Sequence, residues 1–221
     1  MTRLGRRELV QLSTLVAGGA IASLWLRSAA PVGQDLGLRS TVRETLDDAA
    51  APRSIPTGTV DLLMAVFTDY QCPACKVGYP AMAEAVAEDG SVGVLYKEWP
   101  IFGAASERAA RVALAAGKQG IYPQVHERLM LDRRRPTDSV LRDTVEAAKG
   151  DWSAIVDSLK RDDEALTSQL ARNRTQAFSL GLGGTPAYLA GSVLVRGAIS
   201  KSQFTHVIAQ AREAASSRVD K

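Results

Sequence analysis

Short apolar runs and longer helical patterns alternate along the middle and C-terminal parts of the chain. Residues 60–67 (VDLLMAVF) form an apolar run that predicts a buried strand, and residues 92–99 (VGVLYKEW) predict a second one. Between them, residues 73–88 carry apolar side chains at helical spacing, which predicts a helix with Val77 on its buried face. Gly90 ends this helix, as glycine commonly does. A strand–helix–strand unit therefore opens the regular part of the chain.

Helical patterns dominate the next part of the chain, up to residue 180. Several cap residues and glycines divide residues 106–180 into four or five helices. Two short apolar runs, residues 187–190 and 193–196, are joined by a Gly-Ser pair and predict a β-hairpin. Residues 203–215 predict the last helix. This order predicts an α/β fold in which two outer parts complete one sheet and the helical middle is an insertion.

The length of 221 residues suits one domain that carries such an insertion. The predicted organisation has four parts: residues 1–30 as an export signal or membrane anchor, 31–57 as a lead-in, 58–102 with 166–221 as the sheet domain, and 103–165 as the helical insertion.

The net charge of +3 belongs to the N-terminal segment. Residues 1–30 carry four arginines and one glutamate, so the formal charge of the remaining chain is zero. A nucleic-acid-binding protein needs a standing basic surface, and this balance argues against one. The three arginines at residues 133–135 are interpreted as a solvated turn.

The N-terminal segment has the pattern of an export signal. Basic residues precede an uncharged stretch at residues 9–26, and the Arg6–Arg7 pair is typical of a twin-arginine signal. An ordinary secretory signal with two adjacent arginines is the alternative. The uncharged stretch is also near the minimum length of a membrane span, so an uncleaved tether to the inner membrane stays open. Either interpretation predicts that the chain after this segment lies in the periplasm, where disulfides persist.

Cys72 and Cys75 are the only cysteines, and they stand where a predicted strand meets a predicted helix. A thiolate at a helix N-terminus is stabilised, and Pro73 suits the first helical position. Cys75 lies one turn further on and is expected to be more buried. We therefore predict that Cys72 is the nucleophile and that Cys75 resolves the mixed disulfide. A structural disulfide and a soft-metal site, such as one for copper(I), remain alternatives.

Several segments together resemble the DsbA-like thiol–disulfide oxidoreductases of the thioredoxin superfamily. They are FTDYQCPAC, KEWPIFG, ALAAGKQG, YPQVHERLM and GTPAYLAGSVLVRGA, which span roughly residues 58–212 in order. The resemblance implies a thioredoxin fold with an inserted helical domain. It also implies redox chemistry that needs no cofactor beyond the Cys72–Cys75 disulfide.

Thr185-Pro186 matches the position where proteins of this fold place a cis proline facing the dithiol. The resemblance implies that an extended substrate segment pairs with the backbone of Thr185, beside Pro73 and Ala74 of the motif. A plain turn proline after two glycines is the alternative.

The chain departs from the best-known members of this family at two positions. Ala74 stands where they carry a histidine, so we expect a less acidic Cys72 and a milder oxidant. Val66 stands where thioredoxin-like proteins often place a buried acid, so a proton relay to Cys75 needs another group. Asp69 and Glu98 are the candidates, although we interpret each as a solvated loop acid.

Three further polar residues receive structural interpretations. Lys76 and Lys97 are predicted to be surface charges, and His126 is predicted to pack within the insertion.

The resemblance implies a thiol–disulfide oxidoreductase that acts on cysteines of exported proteins, in the oxidising direction. A membrane redox partner and a monomeric state are expected, with no metal and no nucleic acid. A reductase or isomerase of the same fold is the first alternative, although residues 31–57 are too short for the dimerisation domain usual in such isomerases. A copper-binding role for the two thiols is the second.

Overall fold

A computed structural model describes residues 32–219 of the chain. The predicted export signal at residues 1–30, with its Arg6–Arg7 pair and the uncharged stretch of residues 9–26, lies outside this described part. No helix within the described part combines the length and the apolar character that a membrane span requires.

The described part contains six strands that form a single sheet. They are β1 (Gln34–Asp35), β2 (Arg53–Ser54), β3 (Leu62–Thr68), β4 (Val92–Glu98), β5 (Ala187–Ala190) and β6 (Val193–Arg196). Their order across the sheet is β1–β6–β5–β3–β4–β2. Strands β3 and β4 are parallel, and every other neighbouring pair is antiparallel.

Eight α-helices accompany the sheet within residues 32–219. They are α1 (Ser40–Leu46), α2 (Pro73–Asp89), α3 (Ala104–Ala116), α4 (Tyr122–Leu131), α5 (Asp138–Ala147), α6 (Trp152–Arg161), α7 (Asp163–Ser179) and α8 (Lys201–Val219). Helices α3 to α7 all lie between β4 and β5 in the chain, as the helical pattern predicts. Helix α7 runs across residue 165, where the sequence places the end of the insertion; that boundary stays a prediction.

Helices cover both faces of the sheet. On one face, Ala65 and Phe67 of β3 share a buried cluster with Val42 of α1. On the other face, Tyr188 of β5 packs edge-on against Phe204 of α8, with ring centroids 4.8 Å apart. The central strands are consequently buried on both sides, as is usual for parallel strands between helix layers. The α/β class and the order of the elements are therefore as predicted.

The structure corrects two expectations about these elements. Residues 31–57, predicted as a lead-in, supply α1 and also β1 and β2, the strands at the two edges of the sheet. The buried face of α2 is formed by Cys75, Gly78, Met82 and Ala85, whereas Val77 is 74% exposed. The prediction for Val77 is wrong because the helix is rotated by about one position relative to the apolar pattern.

Candidate active site

Cys72 lies where the loop after β3 leads into α2. It is the N-cap residue of that helix, and Pro73 is the first helical residue. The Cys72 Sγ atom accepts a hydrogen bond of 3.0 Å from the backbone N–H of Cys75. Unpaired N–H groups and the helix dipole both favour negative charge at this position. The local fold therefore puts one sulfur at the point of the helix that best stabilises a thiolate.

The two sulfurs differ in acidity far more than in exposure. Cys72 is 2% exposed and Cys75 is 1% exposed, and both are free thiols. The Cys75 thiol donates a hydrogen bond to the Cys72 thiolate, which outweighs burial and, with Thr185 and the Cys75 N–H, lowers the pKa of Cys72 to about 6. Burial, followed by that same hydrogen bond, raises the pKa of Cys75. At neutral pH the reduced site therefore holds one thiolate and one thiol.

The loop before β5 closes over the dithiol. The Thr185–Pro186 peptide bond is cis, as the sequence predicts. Cys72 Sγ lies 3.4 Å from the Thr185 carbonyl oxygen, to which it donates when it is protonated. Thr185 Oγ1 is buried and has no hydrogen-bond partner among the described residues. This hydroxyl can donate to a cysteine thiolate, and it lowers the pKa of both cysteines.

The Pro73 and Ala74 side chains lie exposed at the start of α2. Ala74 offers no charge or hydrogen bond to the neighbouring sulfur. The stabilisation of the Cys72 thiolate therefore depends on Cys75, on Thr185 and on the helix terminus.

Asp69 is buried, so its interpretation as a solvated loop acid is wrong. Its side chain accepts four hydrogen bonds: from the backbone N–H groups of Gln71, Ile101 and Phe102, and from the Ser106 hydroxyl. The residue is 1% exposed. These bonds join the loop before Cys72 to the loop after β4, and they engage both carboxylate oxygens. Among the described residues, neither oxygen forms a hydrogen bond with a cysteine sulfur.

Glu98 is also buried, and it lies in a polar cluster with His126. Tyr70 and Tyr122 both donate hydrogen bonds to Glu98 Oε1, the first at 2.5 Å. His126 Nδ1 lies 2.8 Å from the Tyr70 hydroxyl and 3.5 Å from Glu98 Oε1. Glu98 Oε2 and His126 Nε2 are buried without a partner among the described residues.

This cluster corrects two interpretations. Glu98 is not solvated, and His126 packs between the insertion and the sheet domain rather than within the insertion, because it contacts Tyr70 and the β4 residue Tyr96. The sequence contained one signal for the cluster: a glutamate at the end of a strand that is buried on both faces requires buried donors. Nothing in the sequence identified the two tyrosines as those donors.

Lys97 is fully buried, so its prediction as a surface charge is wrong. Its Nζ atom lies 2.7 Å from Asp48 Oδ2, and the two side chains are 0% and 5% exposed. Despite the cost of burial, the Lys97 ammonium holds the pKa of Asp48 below its ordinary value.

Lys76 is only partly exposed. Its Nζ donates to the backbone carbonyls of Leu129 (2.8 Å) and Asp132. Burial lowers the pKa of Lys76. Lys76 therefore fastens α2 to the end of α4.

No group of three or more His, Cys, Asp or Glu side chains within residues 32–219 has the arrangement of a metal site.

The sheet order, the cis proline and the cysteine pair at a helix start define the class of thioredoxin-fold oxidoreductases. The family described as DSBA-like thioredoxin domain matches residues 64–209. The chain belongs to this DsbA-like family and is a thiol–disulfide oxidoreductase.

Three solved structures illustrate the likeness. A thioredoxin-like oxidoreductase from Silicibacter pomeroyi DSS-3 is 32% identical, with a TM-score of 0.71 over 77% of this chain and 98% of that chain. A periplasmic thioredoxin-like protein from Salmonella enterica serovar Typhimurium is 28% identical, with a TM-score of 0.70 over 79% and 98%. The thiol-disulfide exchange protein alpha-DsbA2 from Wolbachia pipientis is 24% identical, with a TM-score of 0.72 over 77% and 92%, and shares the fold.

A curated relative is far larger than the matching segment. The Na(+)/H(+) antiporter NhaA 3 from Salinispora tropica is 29% identical over 96 residues, which is 42% of this chain and 14% of that protein. The match therefore concerns a small part of the antiporter.

Proposed function

We propose that the chain oxidises cysteine pairs of exported proteins through a Cys72–Cys75 disulfide, with Cys72 as the sulfur that reacts with the substrate. The observation that carries this proposal is the opposite perturbation of the two thiols: the pKa of Cys72 is lowered to about 6, whereas that of Cys75 is raised. A dithiol of this kind has one sulfur suited to attack and to leave, and one suited to hold a proton.

The proposed reaction begins with the oxidised protein. A substrate thiolate attacks Cys72 Sγ, the Cys72–Cys75 bond breaks, and Cys75 leaves and takes up a proton. A second substrate thiolate then attacks the substrate sulfur of the mixed disulfide, and Cys72 leaves as a thiolate. The substrate loses two electrons and gains a disulfide, and the protein gains two electrons and becomes a dithiol. The protein needs no redox group beyond these two sulfurs.

The low pKa of Cys72 supports the oxidising direction. A pKa of about 6 in place of about 8.5 stabilises the reduced form at pH 7 by up to about 1.4 kcal/mol, which raises the reduction potential by about 30 mV. The exposed Ala74 adds nothing to this stabilisation, so we propose a milder oxidant than members with histidine there. A membrane redox partner would have to return the protein to its disulfide form.

The arrangement around Thr185 supports substrate docking at this site. The backbone next to the cis proline lies beside Cys72, so an extended segment that adds to it as a strand would bring its cysteine to the reacting sulfur. Location outside the cytoplasmic membrane is proposed from the N-terminal pattern and from the periplasmic relative of Salmonella enterica. A twin-arginine route, with or without a tether at residues 9–26, and a monomeric state belong to the same proposal.

The test of the cysteine roles uses two serine variants expressed with their natural substrates. Cys75→Ser should accumulate mixed disulfides on non-reducing gels, because nothing resolves them, whereas Cys72→Ser should accumulate few. The reverse result would overturn the assignment.

The redox state of the native protein tests the direction. Acid quenching followed by thiol alkylation in cells should trap mainly the disulfide form. A mainly dithiol protein would instead support a reductase or isomerase. Stoichiometric copper(I) binding by the reduced protein, without any exchange activity, would support a metal-binding role.

A further inference from the structure

An open groove of about 890 Å³ extends along α2 from the position next to Cys72. One wall consists of Pro73, Lys76, Val77 and Pro80, which share one face of the helix. At 1.5 Å per residue, this wall is about 10 Å long, which matches about three residues of an extended chain. The other wall is formed by Met130 and Leu131 at the end of α4 and by residues 133–136 of the loop after it. The groove therefore joins the reactive sulfur to the helical insertion.

The groove has apolar side chains that the described part of the chain leaves uncovered. Val77 is 74% exposed and Leu131 is 55% exposed, one on each wall. Burying such side chains against a partner removes apolar surface from water, which favours binding.

The groove is also positively charged. Its lining contains Lys76 and the three arginines at residues 133–135, and no acidic residue. Arg134 forms an ion pair with Asp132, in which Nη2 lies 2.7 Å from Oδ2. Within residues 32–219, Arg133 and Arg135 take part in no ion pair. The sequence analysis interprets these arginines as a solvated turn. In the described part of the structure, two of them place positive charges without an ion-pair partner beside the apolar side chains of the groove.

We propose that this groove binds the segment that flanks the reacting cysteine of a partner polypeptide, and that it selects segments carrying acidic side chains next to apolar ones. The inference rests on the proposed function, because the partner's cysteine must react at Cys72. Covalent attachment there brings the neighbouring residues alongside α2. An apolar side chain then contacts Val77 and Leu131, and a carboxylate one or two residues further on reaches Arg133 or Arg135.

Single-cysteine peptides activated with thionitrobenzoate test this inference. In the reaction, the Cys72 thiolate attacks the peptide sulfur, a new disulfide forms, and coloured thionitrobenzoate leaves with the electron pair. The Cys75→Ser variant is used so that the product persists. Each of three peptides has leucine on both sides of its single cysteine. The peptides differ only at the second and third positions on each side of the cysteine, which are Glu in the first peptide, Gln in the second and Lys in the third.

We expect the Glu peptide to react about fivefold faster than the Gln peptide at low ionic strength, and the Lys peptide to be slowest. Molar salt should abolish the order, because it screens exposed charges. The added changes Arg133→Gln and Arg135→Gln should remove the preference, and Arg133→Glu with Arg135→Glu should reverse it. The matched control, Arg39→Gln with Arg43→Gln, alters net charge equally outside the groove and should retain the native order.

The outcomes separate the two proposals. If no peptide reacts, the role assigned to Cys72 is wrong. If all three react at the same rate, the chemistry stands and the groove proposal is overturned. A native dimer that Arg133→Glu with Arg135→Glu dissociates would show the groove to be an interface between copies. Arginine-dependent binding to anionic vesicles without any preference among peptides would show a lipid-binding surface. Both of these results would also overturn the proposal.

Discussion

Replacing Thr185 by valine removes a hydroxyl group beside the two sulfurs and keeps the shape of the side chain. Thr185 Oγ1 is buried without a partner among the described residues while both cysteines are thiols, and as a donor to the Cys72 thiolate it is one of the contributions that lower the pKa of Cys72. We expect Thr185→Val to raise that pKa, because the thiolate loses a donor while the thiol loses nothing.

The size of the effect follows from the remaining donors. A hydrogen bond to a charged group contributes about 1.5–3 kcal/mol, and the Cys75 thiol and backbone N–H still serve the thiolate. We therefore take the lower end of this range, about 1.5 kcal/mol, which is about one pKa unit and moves the pKa of Cys72 from about 6 to about 7. At pH 7 the thiolate fraction falls from about 90% to about 50%. The reduced form loses about 1 kcal/mol, so the reduction potential falls by about 20 mV.

The assay follows the ultraviolet absorbance of the thiolate and the rate of alkylation of the reduced protein against pH. Both should fall as pH decreases through the pKa, with midpoints near pH 6 for the native protein and near pH 7 for Thr185→Val. Thr185→Ser is the matched control, because it keeps the hydroxyl and should titrate like the native protein. The reasoning is refuted if the valine and serine variants share one midpoint.

Four further outcomes are expected. Lys97→Met should lower the free energy of unfolding by about 3 kcal/mol in urea titrations, because it leaves the buried Asp48 carboxylate with only the more distant Arg172, at 3.9 Å, as a cation. A loss no larger than that of the exposed control Lys160→Met would contradict this. Since the folded-state pKa of Asp48 is depressed, the stability from this pair should be present above about pH 4 and lost as pH falls below it. Ala74→His should lower the pKa of the first cysteine and raise the reduction potential; an unchanged thiolate titration would count against it. Glu98→Gln should cost about 1–3 kcal/mol of stability, measured by denaturant midpoints, because a neutral amide oxygen accepts the two tyrosine hydrogen bonds more weakly than a carboxylate oxygen does; unchanged midpoints would contradict this.

The elements with strong local patterns lie close to where the sequence predicts them. Strands β5 and β6 occupy the predicted residues, because a Gly-Ser turn between two apolar runs determines a hairpin. The edge strands β1 and β2 were not predicted. Each is two residues long, too short to show a period-two pattern, and each is defined by a partner strand distant in the chain.

The cysteine pair and the cis proline were predicted from local motifs and from the family resemblance. Residue type alone predicts exposure for Lys97 and Glu98, and both are buried. Strand β4 is buried on both faces, so the alternation of inward and outward side chains does not apply to Lys97 and Glu98. Their burial was foreseeable from the apolar run that contains them. The identity of Asp48 as a partner was not, since 49 residues separate it from Lys97 and no spacing rule connects them.

The pairing of β1 with β6 has a consequence for the timing of folding. Asp35 accepts hydrogen bonds from Ser192, which follows it by 157 residues, and from Arg218 in the last helix. This edge of the sheet therefore stays unpaired until β6 has been made, and closing so long a loop is slow and entropically costly. Until then the edge of β5 with which β6 pairs is open to other nascent chains. We expect the dithiol region to reach its native contacts earlier than this edge, which would be the last part of the sheet to become protected from hydrogen exchange.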